Sequence, residues 1–158
     1  MDLFSSSEFQ KDQHLQLPNA DISYFPDFLS TEQAKHYFTI FHEETAWQQD
    51  DIKIFGKTYK QPRLTALYGE KGKSYTYSNI TMHPKPFTVP LLEIKNRIEQ
   101  ACDATFNVVL LNLYRDGNDS NGWHSDDEKE TQHFWQHQIP KTKKNVSSRI
   151  NLTFRKIN

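Results

Sequence analysis

The chain has 158 residues, of which 35% are hydrophobic, 25% are charged and 13% are aromatic. This length fits one domain with a core of its own, and the single cysteine, Cys102, excludes an internal disulfide or a cysteine-based zinc site. The formal net charge of −1 excludes a global attraction to nucleic acid, so such binding needs a local basic patch. Without a membrane-length apolar run or a signal-peptide core, the sequence predicts a soluble intracellular protein.

The N-terminal part of the chain predicts a polar segment followed by a helix. Residues 1–21 are expected to be a frayed or extended polar segment, and "ISYFPDFLS" (22–30) predicts a short strand and a turn. Ser30 is followed three positions on by Gln33, which is a capping-box pattern. Apolar residues then recur at helical spacing at Ala34, Tyr37, Phe38 and Phe41. This pattern predicts an amphipathic helix.

The middle of the chain predicts a hairpin, further strands and a second helix. In "IKIFGKTYKQPRLTALYG" (52–69), Ile52 and Ile54 alternate, Phe55-Gly56-Lys57 predicts a turn, and a second β-like run follows. "SYTYSN" (74–79) predicts another short strand. "PLLEIKNRIEQA" (90–101) predicts a second amphipathic helix with proline at its first position.

Two strands complete the predicted elements. "FNVVLLNLY" (106–114) is a nearly continuous apolar run, whereas "SRINLTFRKI" (148–157) alternates. Because successive strand residues point to opposite faces, one face of the second strand carries Ile150, Leu152 and Phe154, and the other carries Arg149, Asn151, Thr153 and Arg155. Together the elements predict helices packed on a β core, which is an α+β fold.

The polar face of this last strand admits two interpretations. It faces water, or it turns inward and binds an anion, since two guanidiniums and an amide suit a dicarboxylate. Asn112 and Tyr114 likewise share a face of the preceding strand. A buried Asn112 needs hydrogen-bond partners, whereas an edge position lets it meet water.

A candidate metal site follows in "RDGNDSNGWHSDD" (115–127). Its dipeptides Asp116-Gly117 and Asn121-Gly122 predict a loop. His124 and Asp126 then stand two apart, so they project to one side of an extended chain. With a later histidine they complete the facial triad that binds non-haem Fe(II). The pattern is weak by itself, because a lone histidine is more often a surface or core residue than a ligand.

Taken together, these residues resemble the AlkB family of Fe(II)- and 2-oxoglutarate-dependent nucleic-acid dealkylases. The resemblance rests on "LNLYRDGNDSNGWHSDDE" and "RINLTFRKI", and it extends upstream through "IFGK", "QPRLTALYGEKGKSYTYS" and "PKPF". It covers most of the chain from about residue 22. It implies one dioxygenase domain over residues 22–158, folded as a double-stranded β-helix (a jelly roll) with supporting helices and a nucleotide-recognition lid.

The resemblance also implies which residues bind the cofactor and the cosubstrate. His124, Asp126 and His137 match the iron ligands. His133 is the alternative to His137, but the proline in "HQIP" favours His137. The residues that match 2-oxoglutarate contacts are Asn112, Tyr114, Arg149, Asn151 and Arg155. Among them, Arg149 is expected to pair with the distal carboxylate.

Substrate contacts follow from the same resemblance. The flipped base is expected to lie between Tyr77 and His124, since a base inside the stack is unreachable. Asp127 and Glu128 match positions that contact the base edge, and Tyr75 is expected to contact the base from the lid. Phe55 resembles an apolar wedge that fills the gap left by the flipped base; the alternative is a satellite core aromatic. "KTKK" (141–144) binds phosphate or is a solvated loop.

The implied reaction is oxidative demethylation of N-alkylated bases in DNA. It uses Fe(II), with 2-oxoglutarate and O2 as cosubstrates, and releases succinate and formaldehyde. The implied partner is alkylated DNA, with RNA left open, and the protein is expected to be a monomer without membrane contact, cytoplasmic in a bacterium or nuclear in a eukaryote. Two alternatives are an inactive nucleic-acid-binding remnant and a 2-oxoglutarate hydroxylase of another substrate.

The sequence departs from the family between its metal ligands. The family separates the H-x-D motif from the distal histidine by several tens of residues that form central strands, but here ten residues lie between Asp126 and His137. The chain therefore predicts a deletion or gap at Glu130–Thr131. A barrel that lacks those strands is expected to be incomplete and to have exposed edges.

Overall fold

The structure is a computed structural model that describes residues 13–18, 20–77, 80–125 and 136–157. In these ranges the helices are α1 (Thr31–Glu44) and α2 (Val89–Cys102). The strands, in chain order, are β1 (Gln13–Leu17), β2 (Ala20–Tyr24), β3 (Asp51–Ile54), β4 (Lys57–Lys60), β5 (Leu64–Gly69), β6 (Tyr75–Tyr77), β7 (Ile80–Met82), β8 (Val108–Tyr114), β9 (Asn121–His124), β10 (His137–Ile139) and β11 (Arg149–Arg155). This mixture confirms the predicted α+β class.

The central sheet has the strand order β11–β8–β5, and both of its pairings are antiparallel. Every residue of β8 is buried, which accounts for its continuous apolar sequence. β5 ends at Gly69, where a Cβ atom would lie 2.6 Å from the carbonyl oxygen of Asn107. Only glycine allows this close approach of the two backbones.

Both helices pack on one face of the central sheet. α1 begins with the predicted capping box, because Ser30 Oγ accepts a hydrogen bond from the Gln33 amide and Ser30 N donates to Gln33 Oε1. The buried residues of this packed layer come from both helices and from β5 and β8: Tyr37, Phe41, Ala66, Tyr68, Leu91, Ile94, Val109 and Leu111. The alternation predicted for β11 is confirmed, because Ile150, Leu152 and Phe154 pack against this layer.

The remaining strands form two-stranded antiparallel pairs. β3 and β4 make the predicted hairpin, with Ile54 opposite Lys57 and a two-residue turn at Phe55 and Gly56. The φ angles of these turn residues are +48° and +76°, as in the turns that match the twist of a hairpin. β6 pairs with β7, and buried Met82 of β7 packs on the sheet face opposite the helices, against Leu67, Val108 and Leu110.

One local prediction is wrong. Asn121-Gly122 was expected to lie in a turn, but these residues begin β9, where Asn121 lies opposite Ile139 of β10. Pairing with a partner strand overrides the turn preference of the dipeptide. The predicted polar segment 1–21 contains β1, which pairs with β2. In the described ranges, no helix has the length and apolar character needed to cross a membrane.

Candidate active site

Two of the predicted metal ligands lie side by side. His124 and His137 are directly opposite each other in the antiparallel β9–β10 pair, and their ring centroids are 4.1 Å apart. Asp126 and the alternative ligand His133 lie outside the described residues. Within the described ranges, no group of three histidine, cysteine or carboxylate side chains could hold a metal ion. The structure thus brings together the two histidines of the predicted triad.

The hydrogen bonds of His124 place its proton on Nδ1 and its lone pair on Nε2. Its Nδ1 atom lies 2.8 Å from the carbonyl oxygen of Gly122, which only accepts, so Nδ1 carries the proton. The Nε2 atom lies 3.0 Å from Nδ2 of Asn121, which donates to it. A neutral imidazole whose other nitrogen donates to a backbone carbonyl is the usual form of a metal-binding histidine. His124 therefore fits a divalent metal.

A cavity of about 260 Å³ adjoins the two histidines. Four of the five predicted 2-oxoglutarate contacts line it, and both histidines line it too. These four residues are Asn112, Tyr114, Asn151 and Arg155. A small cavity with amide, hydroxyl and guanidinium donors fits a dicarboxylate beside a metal.

The register of the central sheet produces this lining. Asn151 of β11 lies opposite Asn112 of β8, and alternate residues on each strand point to the cavity while their neighbours face the helices. Asn112 and Arg155 are buried, so this polar face turns inward rather than to bulk water. Asn112 Oδ1 accepts a hydrogen bond from Arg63, as a buried amide requires.

Tyr114 and Arg149 lie at the end of this face. Arg149 is opposite Tyr114 in the β8–β11 register, but it is exposed and does not line the cavity. Burial raises the pKa of the Tyr114 hydroxyl, although the positive charges of Arg63 and Arg149 oppose that effect. The hydroxyl is therefore protonated at neutral pH and can donate a hydrogen bond to an anion. The pairing of Arg149 with a distal carboxylate stays a prediction.

The predicted substrate contacts lie on two hairpins. Phe55 is fully exposed at the tip of the β3–β4 hairpin, so it is not the satellite core aromatic of the alternative interpretation. Tyr75 lines the cavity, and the guanidinium carbon of Arg155 is 5.2 Å from its ring centroid. Tyr77 ends strand β6, and its predicted stacking role concerns a side chain outside the described part. Asp127 and Glu128 also lie outside the described residues.

Two further residues of the candidate site, Arg63 and Asn121, were not predicted from the sequence. Arg63 is 8% exposed; its Nε donates to Asn112 Oδ1 at 2.9 Å and its Nη1 donates to Asn121 Oδ1 at 3.0 Å. Asn121 in turn contacts His124. No local pattern reveals these contacts, because Arg63 and Asn121 are 58 positions apart.

An ion pair between exposed Arg115 and buried Asp119 shapes the loop that precedes β9. The Asp119 carboxylate accepts hydrogen bonds from the backbone amide, Nε and Nη2 of Arg115, at 2.8 to 2.9 Å. These bonds lower the pKa of Asp119 and raise that of Arg115. Ser120 then donates to the carbonyl oxygen of Pro62, and Thr142 donates to that of Gly117. The loop is thereby tied to the residues before β5 and after β10.

Comparison with known proteins agrees with this geometry. Residues 21–133 match the model of the 2OG-Fe(II) oxygenase superfamily. The chain is 46% identical over 105 residues to the human alpha-ketoglutarate-dependent dioxygenase alkB homolog 3, which covers 66% of this chain and 36% of the relative. It is 41% identical over 104 residues to the mouse DNA oxidative demethylase ALKBH2, covering 65% and 40%. With the bovine ALKBH2 it is 31% identical over 159 positions, covering 67% and 57%.

The cavity of about 260 Å³ beside two neighbouring histidines, together with the superfamily match, defines a class of iron-dependent oxygenases. The chain belongs to the AlkB family within it, whose members depend on Fe(II), 2-oxoglutarate and O2. The matched part spans 36% to 57% of the length of these relatives.

Proposed function

We propose that the chain demethylates N-alkylated bases in DNA by oxidation, with Fe(II) as cofactor and 2-oxoglutarate and O2 as cosubstrates. The observation that carries this proposal is the pairing of His124 with His137 beside a cavity lined by amides, a tyrosine and a buried guanidinium. Relatives named DNA oxidative demethylase support the substrate class. We also propose that the protein is a monomer inside the cell, located in the cytoplasm if it is bacterial or in the nucleus if it is eukaryotic.

The residues of the site divide the work. His124 and His137, with Asp126, would hold the iron, and the cavity residues would hold 2-oxoglutarate. Arg149, which lies outside the cavity lining but opposite Tyr114, would reach its distal carboxylate. When bound, the iron supplies the oxidation of the N-methyl carbon to a hydroxymethyl group. That group then leaves the base nitrogen as formaldehyde, and 2-oxoglutarate becomes succinate and CO2. The chain's own part is to orient the two substrates and exclude water.

Because the net charge of −1 gives no global attraction to nucleic acid, DNA binding needs a local basic patch. The β3–β4 hairpin would supply that patch. Lys53 and Lys57 are exposed on its two strands, next to the fully exposed Phe55. Cations at this position suit phosphates, and an exposed phenyl ring suits a gap between bases. With β6 and β7, this hairpin would form the nucleotide-recognition lid, and the central sheet would form part of the jelly roll. The base would stack between Tyr77 and His124, with Tyr75, Asp127 and Glu128 around it.

The proposal includes a loss of central strands at Glu130–Thr131, a junction that lies outside the described residues. The superfamily match ends at residue 133, close to this junction. The bovine ALKBH2 alignment has 159 positions but covers 67% of a 158-residue chain, which is about 106 residues. About 50 positions of that relative therefore face no residue of this chain. An unmatched stretch of this size supports the proposed loss of central strands.

The second candidate function is that of an inactive nucleic-acid-binding remnant, and the proposed loss of central strands favours it. In the described ranges β11 pairs only with β8, and β9 pairs only with β10. Strands whose partners have been removed expose hydrogen-bonding edges and hold their ligands less firmly. In such a remnant, the nucleotide-recognition lid would still bind nucleic acid.

Activity of the 158-residue chain decides between the two candidates. The purified chain is given Fe(II), 2-oxoglutarate and methylated or unmethylated oligonucleotides, as single-stranded DNA, duplex DNA and RNA. Formaldehyde and succinate released with methylated DNA, and lost in His124→Ala, support the demethylase. No product together with retained DNA binding supports the remnant. Succinate formed only with a protein or small-molecule substrate would support the third class, a hydroxylase.

Sequencing the transcript across codons 130 and 131 tests the proposed gap. Tens of additional codons at this point would show that strands are missing, and a chain with those codons restored is expected to be the more active one. A continuous transcript would mean that the shortened chain is itself the product. Its activity in the assay above would then decide its function.

A further inference from the structure

We propose that Arg63 is a positioning residue that aligns both halves of the active site at once. Its guanidinium lies between Asn112, on the cosubstrate side, and Asn121, which contacts His124 on the metal side. Four side chains from β8, β9 and the residue before β5 thus form one continuous polar chain. The inference rests on the proposed function only in naming what the two halves bind.

The burial and charge of Arg63 indicate a specific role. The side chain is 8% exposed, and its two hydrogen-bond acceptors are neutral amide oxygens. Among the described carboxylates, none forms an ion pair with it. A buried cation without a carboxylate is costly, because the charge gives up its hydration for weaker partners. A purely structural bridge between two amides does not need a charge, whereas a cavity for an anion benefits from one.

The guanidinium fixes the orientation of each amide, because it can only donate. It gives a proton to Oδ1 of Asn121, so the other end of that amide is the Nδ2 donor. That donor lies 3.0 Å from His124 Nε2, which must then be unprotonated. The Gly122 carbonyl oxygen requires the same tautomer from the other side of the ring. Arg63 and Gly122 together select the imidazole form with its lone pair on Nε2, where a metal would replace the hydrogen bond from Asn121.

The same logic applies to the cosubstrate side. Arg63 donates a hydrogen bond to Oδ1 of Asn112, so the Nδ2 group of the Asn112 side chain remains available as a donor. Asn112 lines the cavity, and a donor at this position suits a carboxylate oxygen of the cosubstrate. Without Arg63 the amide is free to rotate and to present its oxygen, which repels an anion.

The test compares Arg63→Met with Arg97→Met. Arg97 is half-buried on α2, where it contacts Gln33 and Phe28 away from the site, so its variant controls for the loss of a packed arginine. Nitrogen NMR of histidine side chains reports the His124 tautomer in the metal-free protein. Calorimetry with the Mn(II)-loaded protein reports 2-oxoglutarate affinity. In Arg63→Met we expect a mixture of tautomers at His124 and 2-oxoglutarate affinity weaker by about tenfold; in Arg97→Met we expect neither change.

Asn121→Ala separates the two arms of the proposal. It removes the contact with His124 but leaves Arg63 on Asn112, so the tautomer is expected to change while 2-oxoglutarate affinity stays within about twofold of wild type. Combining it with Arg63→Met should add nothing further to the tautomer change. If Arg63→Met does not fold, Asn121→Ala still tests the arm that reaches His124.

Two results distinguish the failure of this inference from that of the proposed function. A folded Arg63→Met protein with the wild-type His124 signal and wild-type 2-oxoglutarate affinity overturns the positioning role alone. A wild-type protein that binds neither Mn(II) nor 2-oxoglutarate overturns the proposed function. In that case the tautomer measurement, which needs neither ligand, still decides whether Arg63 aligns His124.

Discussion

His124 and His137 face each other across the β9–β10 pair, with their ring centroids 4.1 Å apart. Side chains directly opposite each other in an antiparallel pair lie this close. The two histidines can therefore be neighbours although few residues separate them in the sequence. Of the two candidates for the second histidine ligand, His137 is the one whose position next to His124 is described. The register of two short strands thus brings together the two histidines that we propose as metal ligands.

Alanine substitution of each histidine tests this assignment. His137→Ala is expected to weaken Mn(II) binding by more than about 100-fold, because a direct ligand is worth more than the groups that orient it. His133→Ala is expected to leave the affinity within about twofold. Calorimetric titration measures both, with His42→Ala at the exposed end of α1 as the control. The reverse order of the two losses would move the ligand assignment to His133.

Phe55 is predicted to lower the stability of the free protein and to raise its activity on duplex DNA. A phenylalanine with φ of +48° is strained, and its ring is fully exposed, so the residue costs stability in the free protein. Phe55→Asn, which tolerates this backbone, is expected to raise the free energy of unfolding by up to about 1 kcal/mol. Demethylation of duplex DNA should fall at least about tenfold, and that of single strands by less than about twofold, if the ring acts as a wedge.

Tyr59→Ser is the matched control for this hairpin, because Tyr59 is also exposed there but does not lie at the tip. It is expected to affect single-stranded and duplex substrates alike. Equal losses on the two substrates in Phe55→Asn would remove the wedge assignment. A lower free energy of unfolding in that variant would instead show that the ring packs against another part of the protein.

Local patterns in the sequence were sufficient for the elements that depend on them. The cap at Ser30 and the alternation along β11 need only neighbouring residues, and both are confirmed. The alternation also identified Asn151 and Arg155, which line the cavity together with Asn112. Whether that face met water or an anion was open, because the answer depends on what covers the strand.

Contacts between distant parts of the chain could not be predicted in this way. Asn121-Gly122 has the preference of a turn, and only its pairing with β10 makes it a strand. Arg63 precedes β5 without any motif, and its role depends on two amides that are 49 and 58 positions away. The contact of Arg63 with Asn112 depends on the antiparallel pairing of β5 with β8, and its contact with Asn121 depends on the position of the separate β9–β10 pair.

Alkaline unfolding is predicted to report the contact between the two helices. The Tyr37 hydroxyl donates to Glu93 Oε2 at 3.0 Å, and burial followed by the effects of Glu93 raises the pKa of Tyr37 to about 12. Because the folded state holds this proton more firmly, the stabilisation is complete below about pH 10 and is lost as the pH rises towards 12. Tyr37→Phe is expected to cost about 1 kcal/mol at neutral pH and to flatten this alkaline decline. Urea unfolding between neutral and alkaline pH measures both effects; a decline as steep as that of wild type would contradict the assignment.

Acid unfolding is predicted to report the ion pair before β9. Hydrogen bonds from Arg115 lower the pKa of buried Asp119, so its stabilisation is present above the unfolded value of about 3.9 and is lost as the pH falls through the lower folded value. Asp119→Asn is expected to cost about 2 kcal/mol at neutral pH, and this cost should shrink below about pH 4. Asp51→Asn, which removes an exposed ion pair with Lys60, is the control and should cost under about 1 kcal/mol. Urea unfolding at neutral and acid pH compares the two variants. An Asp119→Asn cost that grows on acidification would contradict the direction of the shift.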